Sequence, residues 1–136
     1  MATRLAKKLG APDNGIRVEM LRGTVKQDPM ESWGAATIGD IQNYRADIAL
    51  IAPWCVDPVS GATNHFLHGA KIAAAMVRQA ARVVIMADHS KVGISGRVRF
   101  CPLAQIDTLV VDAAARARPG FEALVQAIPR VLVADA

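Results

Sequence analysis

Aromatic side chains are scarce: three Phe, two Trp and one Tyr amount to 4% of 136 residues. The core must therefore be aliphatic, drawn from the Ala, Val, Ile and Leu within a 52% hydrophobic content. Such cores suit parallel sheets covered by helices. Cysteine is nearly missing, with Cys55 and Cys101 alone. Neither sits at zinc-ligand spacing, and two cysteines make no disulfide framework in a chain of this length. A reduced, cytoplasmic setting is the expectation. No apolar run approaches the ~20 residues of a membrane-spanning helix, so no membrane partner is expected. Residues 1–10 read as a short basic amphipathic helix stopped by Gly10, without the apolar stretch of a signal peptide. There is no Gly-x-x-x-x-Gly-Lys-Ser/Thr loop and no Gly-x-Gly-x-x-Gly fingerprint. Nucleotide hydrolysis and dinucleotide binding have no support, and no cofactor is expected.

Charge of one sign is also not concentrated. Net charge is +4 with 21% charged residues. Lys and Arg are scattered, apart from Arg4, Lys7 and Lys8. Nucleic-acid readers gather their basic residues on one face, so the charge here reads as a solvated surface.

What is present alternates in character. Residues 47–52, 82–87, 108–112 and 130–134 are short aliphatic runs, apolar on both faces and bounded by polar or turn residues, and read as buried strands. Residues 16–21 make a weaker fifth. Between them lie helical patterns at 5–9, 35–44, 66–81 and 119–128. The third is the clearest, with Phe66, Ala70, Ala73, Ala74, Val77 and Ala81 at helical spacing. Pro119 suits a first helical turn, and Pro129 ends the pattern. The alternation predicts an α/β fold: a mostly parallel, doubly wound sheet with flanking helices and right-handed crossovers. Residues 93–102 break it and read as an extended excursion or edge strand. No repeat, low-complexity tract or linker appears, so residues 1–136 form a single domain.

In open α/β sheets ligands bind beyond the carboxyl ends of the strands. Three loops qualify: 53–64, 88–93 and the turn at Asp112. The second carries Asp88, Ser90 and Lys91. These could hold a phosphorylated or polyhydroxylated ligand, the ammonium against phosphate and the carboxylate against hydroxyls. Asp and Ser at such a turn also suit a helix cap. Asp88, His89 and Ser90 contain the residue types of a hydrolase triad, but consecutive side chains diverge. His65 and His68 could form a metal pair, with a third ligand drawn from elsewhere, such as His89 or Cys55, but without a His-Glu-x-x-His arrangement they read better as surface histidines, and no metal is expected. Trp54 could wall a pocket, form an association patch, or pack over the sheet edge.

Two motifs carry a family resemblance. Ala87-Asp88-His89-Ser90-Lys91-Val92-Gly93, followed by Pro102-Leu103-Ala104-Gln105-Ile106-Asp107-Thr108-Leu109-Val110-Val111-Asp112, resembles the C-terminal sensor domain of DeoR-family bacterial transcriptional regulators. There the motifs read Ala-Asp-Ser-Ser-Lys-aromatic-Gly and Pro-Leu-Ser-x-Ile-Asp-Thr-Leu-Ile-Thr-Asp. Gly23-Thr24, Gly34, Ala46-Asp47, Gly61-Ala62-Thr63 and Ala75-Met76-Val77 match further segments, so the resemblance is strongest over residues 22–112. It implies a fold like the ribose-phosphate isomerases and CoA transferases. It also implies a sensor that binds a phosphorylated sugar or related metabolite and controls an attached helix-turn-helix. By matching position, Asp88, Ser90 and Lys91 become effector contacts, and Gly23, Gly61 and Thr63 pocket backbone or lining. Trp54 joins them as a pocket residue.

The departures are specific. The helix-turn-helix and the early Asp-Ser-Gly-Thr-Thr loop are not in this sequence, so the domain is expected to be partial and to reach DNA only through a reader it does not contain. Pro53-Trp54-Cys55 stands where the family has Ala-Asp-Gly, and Phe66 with His68-Gly69 replaces polar residues at a helix start. The expected function is effector binding and oligomerisation in a DeoR-like regulator. The alternatives are a sugar-phosphate isomerase-like enzyme, with Asp88 or Asp57 as base, and a structural remnant that senses nothing. A sheet edge left exposed favours pairing with another chain, so a homo-oligomer is expected.

Overall fold

A computed structural model describes residues 17–27 and 30–135. In chain order the elements are β1 (Thr24–Gln27), β2 (Met30–Trp33), α1 (Ala35–Gln42), β3 (Ala46–Ile51), β4 (Cys55–Asp57), β5 (Gly61–Asn64), α2 (Leu67–Gln79), β6 (Ala80–Ala87), β7 (Val98–Cys101), β8 (Thr108–Asp112), α3 (Phe121–Ala127) and β9 (Arg130–Ala134).

The four aliphatic runs form the main sheet, in the order β3-β6-β8-β9. All three pairings are parallel. An α/β fold on a parallel sheet is thus what the sequence predicts. The described order advances in one direction, so the reversal that makes a sheet doubly wound does not occur among the described residues. Right-handed crossovers that always advance the same way lay their connections on one face. That face carries Ala49, Ile51, Val83, Ile85, Ala87, Leu109 and Val111. It forms one core with Ala70, Ala73 and Val77 of α2, Phe100 of β7, and Phe121 and Leu124 of α3. Ile85 and Leu109 are fully shielded from solvent.

The other face departs from the expectation of strands buried on both sides. Register places Ile48, Leu50, Val84, Met86, Val110 and Leu132 together there. Ile48, Leu50 and Leu132 are 46%, 38% and 41% exposed.

A second sheet, β4-β5-β7, is antiparallel and caps the carboxyl end of the first. Its last strand fulfils the extended excursion expected at 93–102. The β1–β2 and β4–β5 hairpins are not apparent from the sequence pattern. Of the proposed fifth strand, residues 17–21 are described and form none. Val18 and Met20 stand exposed there, with no ladder partner among the described residues. The pattern at 5–9 lies outside the described residues.

Helix boundaries shift for local reasons. α2 ends at Gln79 because Ala80 is extended (φ −103°, ψ 143°) and pairs with Ala46. Strand pairing overrides alanine's helix preference there, and helix passes into strand with no loop between. α3 starts at Phe121 because Gly120 takes a left-handed conformation (φ 80°), which leaves Pro119 outside the first turn. Arg22 anchors the start of the hairpin layer. Its guanidinium and amide hold Asp40 of α1, with Nε to Oδ1 at 3.1 Å and N to Oδ2 at 3.0 Å. This fork holds the Asp40 carboxyl below the usual carboxylate range.

Candidate functional site

β6 and β8 are parallel neighbours, and register pairs Ala87 with Val111. Residues 88 and 112 therefore leave adjacent strands side by side. A 3-10 turn (His89–Lys91) follows Asp88 at once. Asp88 Oδ1 accepts the Ser90 amide at 2.9 Å and also the Ser90 hydroxyl. Lys91 Nζ lies 3.9 Å from Asp88 Oδ2. From the next strand, Asp112 Oδ2 accepts the His89 amide at 3.0 Å and lies 2.9 Å from His89 Nδ1. Its other oxygen accepts the Ala115 amide at 3.2 Å.

Each acid thus caps a turn and orders a neighbouring side chain. Hydrogen bonding to the ionised form favours it. Ser90, through its hydroxyl, is the main cause that holds the Asp88 carboxyl below its ordinary range, aided by Lys91. The His89 amide, then its ring, does the same for Asp112. His89 turns to Asp112 and Ser90 to Asp88, so no nucleophile–base line exists among these consecutive residues. The cap that Asp and Ser suit at this turn is formed, and the ammonium of Lys91 stays partly exposed beside it.

The β4–β5 hairpin is tied to this turn. Val56 and Val92 form a parallel bridge, and the Gly93 amide donates to the Val56 carbonyl at 2.9 Å. Only glycine fits at Gly93: φ is 77°, and a Cβ would stand 2.0 Å from the Pro119 carbonyl oxygen. Thr63 is buried, its hydroxyl 3.4 Å from the Cys55 carbonyl and accepting the Gly96 amide at 2.7 Å. Gly61 (φ 74°) lies where a Cβ would stand 2.3 Å from the Cys101 carbonyl oxygen. Both positions hold the hairpin against β7. Gly23 lies in a different neighbourhood, beside Thr37 and the Trp33 carbonyl. The structure therefore brings Asp88, Ser90 and Lys91 together, sets Gly61 and Thr63 in the adjoining hairpin, and leaves Gly23 apart.

Trp54 is half-exposed, and its ring meets His65 at 5.0 Å and Phe66 at 6.0 Å. The row continues from Phe66 to His68 at 5.6 Å and from His68 to Trp33 at 5.4 Å. His65 and His68 are members of this row. Among the described residues no three His, Cys, Asp or Glu side chains gather as a metal site. A groove of about 290 Å³ opens beside the row at the carboxyl end of β3, between Trp33, Leu50, Asn64, His68 and Gly69. A larger cavity of about 410 Å³ lies at the opposite, amino end of β3, against Leu21, Tyr44 and Ile48. It is remote in the strand direction from the loops that carry charge.

Sequence reading missed the His89–Asp112 pair and the aromatic row. The first was recoverable from strand register, because Asp112 follows Val111 as Asp88 follows Ala87. The second rests on a tertiary meeting of Trp33 with His68 that no local pattern encodes.

Residues 2–113 match the family model described as the DeoR C terminal sensor domain. The chain belongs to that family. The sensor-domain match takes in Asp88, Ser90, Lys91, Gly23, Gly61, Thr63 and Trp54, together with His89 and Asp112, and leaves α3 and β9 beyond it. The chain is similar to the HTH-type transcriptional repressor GlcR of Bacillus subtilis, 28% identical over 103 residues, covering 72% of this chain and 38% of the relative. It is also similar to the HTH-type transcriptional regulator GlpR of Haloferax volcanii, 30% identical over 109 residues, covering 80% and 42%. The chain thus spans about two-fifths of the length of these DeoR-family relatives. No described helix is long and apolar enough to cross a membrane.

Proposed function

We propose that this chain is the effector-binding and self-associating module of a cytoplasmic DeoR-like transcriptional regulator, with a phosphorylated sugar or related metabolite as effector. The observation that carries the reading is the gathering of Lys91, Asp88, His89 and Asp112 where β6 and β8 end, against the β4–β5 hairpin. Lys91 offers an ammonium to phosphate, and the ionised acids offer acceptors to sugar hydroxyls. α2 starts at the same end with no side-chain cap on its first amides, which adds donors for an anion. Trp54 gives the opening an apolar wall. DNA contact is assigned to a helix-turn-helix reader outside these 136 residues, as in the relatives' names. Self-association is favoured by the two outer strands of the main sheet, β3 and β9, whose outer edges are unpaired among the described residues.

The isomerase-like alternative has less behind it. A general base works best with a pKa near the working pH, and Ser90 holds Asp88 low. Asp57 spends one oxygen on the Val59 and Ser60 amides, and the other is buried without a partner among the described residues, out of reach of a substrate proton.

Calorimetric titration of the full chain against a panel of sugar phosphates and the matching free sugars tests the reading. At least one phosphate should bind, its free sugar more weakly, and Lys91→Ala should lose about tenfold in affinity. No binding across the panel, or an unchanged affinity in Lys91→Ala, would sink it.

A further inference from the structure

We infer that the effector taken up at the carboxyl end of the sheet is a phosphate ester carrying a planar, amino-bearing ring system, of the nucleoside-phosphate class, stacked on the aromatic row that runs from Trp54 to Trp33. The inference rests on the proposed role of Lys91 as the phosphate contact and names the rest of the ligand.

Three observations carry it. The first is the concentration of rings. Both Trp, one of three Phe and two of three His stand in a single row. The core's only rings are Phe100 and Phe121, so the row is not part of the packing that fills the interior. Among the described residues Trp54 and Phe66 are 50% and 55% exposed, with ring surface left over beyond their contacts with each other. They meet edge to face at 90°. A planar ring entering that corner stacks on one and abuts the other. Stacking of this kind accepts any base, because each offers a π-face, and it needs no glycine-rich phosphate loop.

The second is that Trp54, Phe66 and His68 are the residues at which this chain leaves the DeoR pattern. The part of the ligand that meets them is therefore particular to this chain.

The third is the division of charge along the row. Trp54 and Lys91 lead into the two strands of the Val56–Val92 bridge, which keeps their Cα atoms within roughly 16 Å. Burial raises the Cys55 thiol, and Lys91 is near enough for its charge to oppose that rise. The cation thus stands at the Trp54 end. At the Trp33 end the groove of about 290 Å³ is lined by Glu31, Ser32, Asn64 and His68, and by no Lys or Arg. Complementarity places an anion at the first end and an uncharged, donor-bearing group at the second. The N–H groups on the edge of an amino-bearing ring suit the acceptors of Glu31 and Asn64. A bare sugar phosphate fills the Lys91 end and leaves the row uncovered, and a ligand anionic at both ends sets its second charge against Glu31.

Tryptophan fluorescence reads this site directly, because the chain's two Trp are both in the row. The full chain is titrated with adenosine 5′-monophosphate, and ribose 5-phosphate is compared by calorimetry. The nucleotide should change the emission and bind about tenfold more tightly than ribose 5-phosphate. Trp54→Ala and Phe66→Ala should each remove most of that advantage and leave the affinity for ribose 5-phosphate unchanged. Trp54→Phe, which keeps a ring, should restore it, and Lys91→Ala should weaken both ligands. Inosine 5′-monophosphate, whose ring lacks the amino group, should bind several-fold more weakly than its adenosine counterpart. Equal affinities for the adenosine nucleotide and ribose 5-phosphate overturn the inference and leave the phosphate reading standing. So does an advantage that survives Trp54→Ala and Phe66→Ala together. Equal affinity for the inosine and adenosine nucleotides overturns the amino-bearing ring. Failure of every phosphate to bind overturns the underlying reading as well. Trp emission that acrylamide cannot quench in the free chain would mean that the row is already covered, and equally defeats the inference.

Discussion

The two faces of the parallel sheet are built from nearly the same residues, yet among the described residues one is a core and the other is left partly uncovered. Val83, Ile85 and Leu109 alternate along the same strands with Val84, Met86 and Val110. The first set is buried beneath α2, α3 and β7, while the second meets none of them in the core. Composition cannot distinguish the sets, because both are apolar and two of three residues in each are β-branched. Topology does, since connections that advance one way cover one side. An aliphatic strand therefore announces that both faces want cover, not which elements provide it.

The largest effect that would break this comparison comes from paired truncations. Leu109→Ala should cost about 3 kcal/mol of stability, since it leaves a cavity in a filled core. Val110→Ala, one residue on, should cost below about 1 kcal/mol in dilute solution, as surface changes do. Urea unfolding at low protein concentration measures both, and equal losses would mean that the second face is covered as tightly as the first.

Next in size is Gly93→Ala, which forces a side chain into a left-handed backbone and against the Pro119 carbonyl. A loss of about 1–2 kcal/mol is expected. Amide exchange should rise at Gly93 itself, whose N–H reaches Val56. Protection retained at that amide would show that the turn and the hairpin are held together by something else.

Acid should act more gently, and at the charged end of the sheet. The carboxyls of Asp40, Asp88 and Asp112 are held low by Arg22, Ser90 and His89 respectively. A lowered folded-state value means that the stabilisation is complete above the unfolded-state value. It is lost as pH falls through the folded-state value, below the usual carboxylate range. The midpoint of urea unfolding should be flat near neutrality and drop in acid, and Asp112→Asn should flatten part of that drop. An unchanged acid limb in Asp112→Asn would show that its contacts with His89 carry no stability.

The smallest effect leaves stability untouched. Burial pushes the Cys101 thiol up to about 11 and raises Cys55 as well. Both cysteines are buried. Labelling by a disulfide reagent at mildly alkaline pH should be slow in the folded chain and fast after denaturation. Rapid labelling of either residue in the native state would mean that the antiparallel sheet opens readily.

Much of the architecture was legible in the sequence. The four strand runs are found within two residues of their predicted positions, because each is a dense β-branched stretch between polar stops. α2 was legible from its alanine spacing. What stayed hidden was non-local. The β1–β2 and β4–β5 hairpins are short and carry little alternation. The open face of the sheet depends on strand order, which no single run encodes. At the site, Asp88, Ser90 and Lys91 were legible as neighbours in a motif. His89 and Asp112 were noticed separately, and only the parallel register makes them a pair. Thr63 and Gly61 matched by position, and the structure gives both a hairpin role through Gly96, Cys55 and Cys101.

The junction of Gln79 and Ala80 has a consequence for how this gene can vary. α2 descends the sheet and β6 returns with no spare residue between them. One codon added in the helix would rotate everything before it by about 100°. One added in the strand would exchange its inner and outer side chains. Neither the aromatic row at the top of α2 nor the acid at the top of β6 could keep its place. Length variation among sequences of this kind should therefore be absent at this joint and collect instead at Ile94 and Ser95, which are exposed ahead of the Gly96 amide that Thr63 holds.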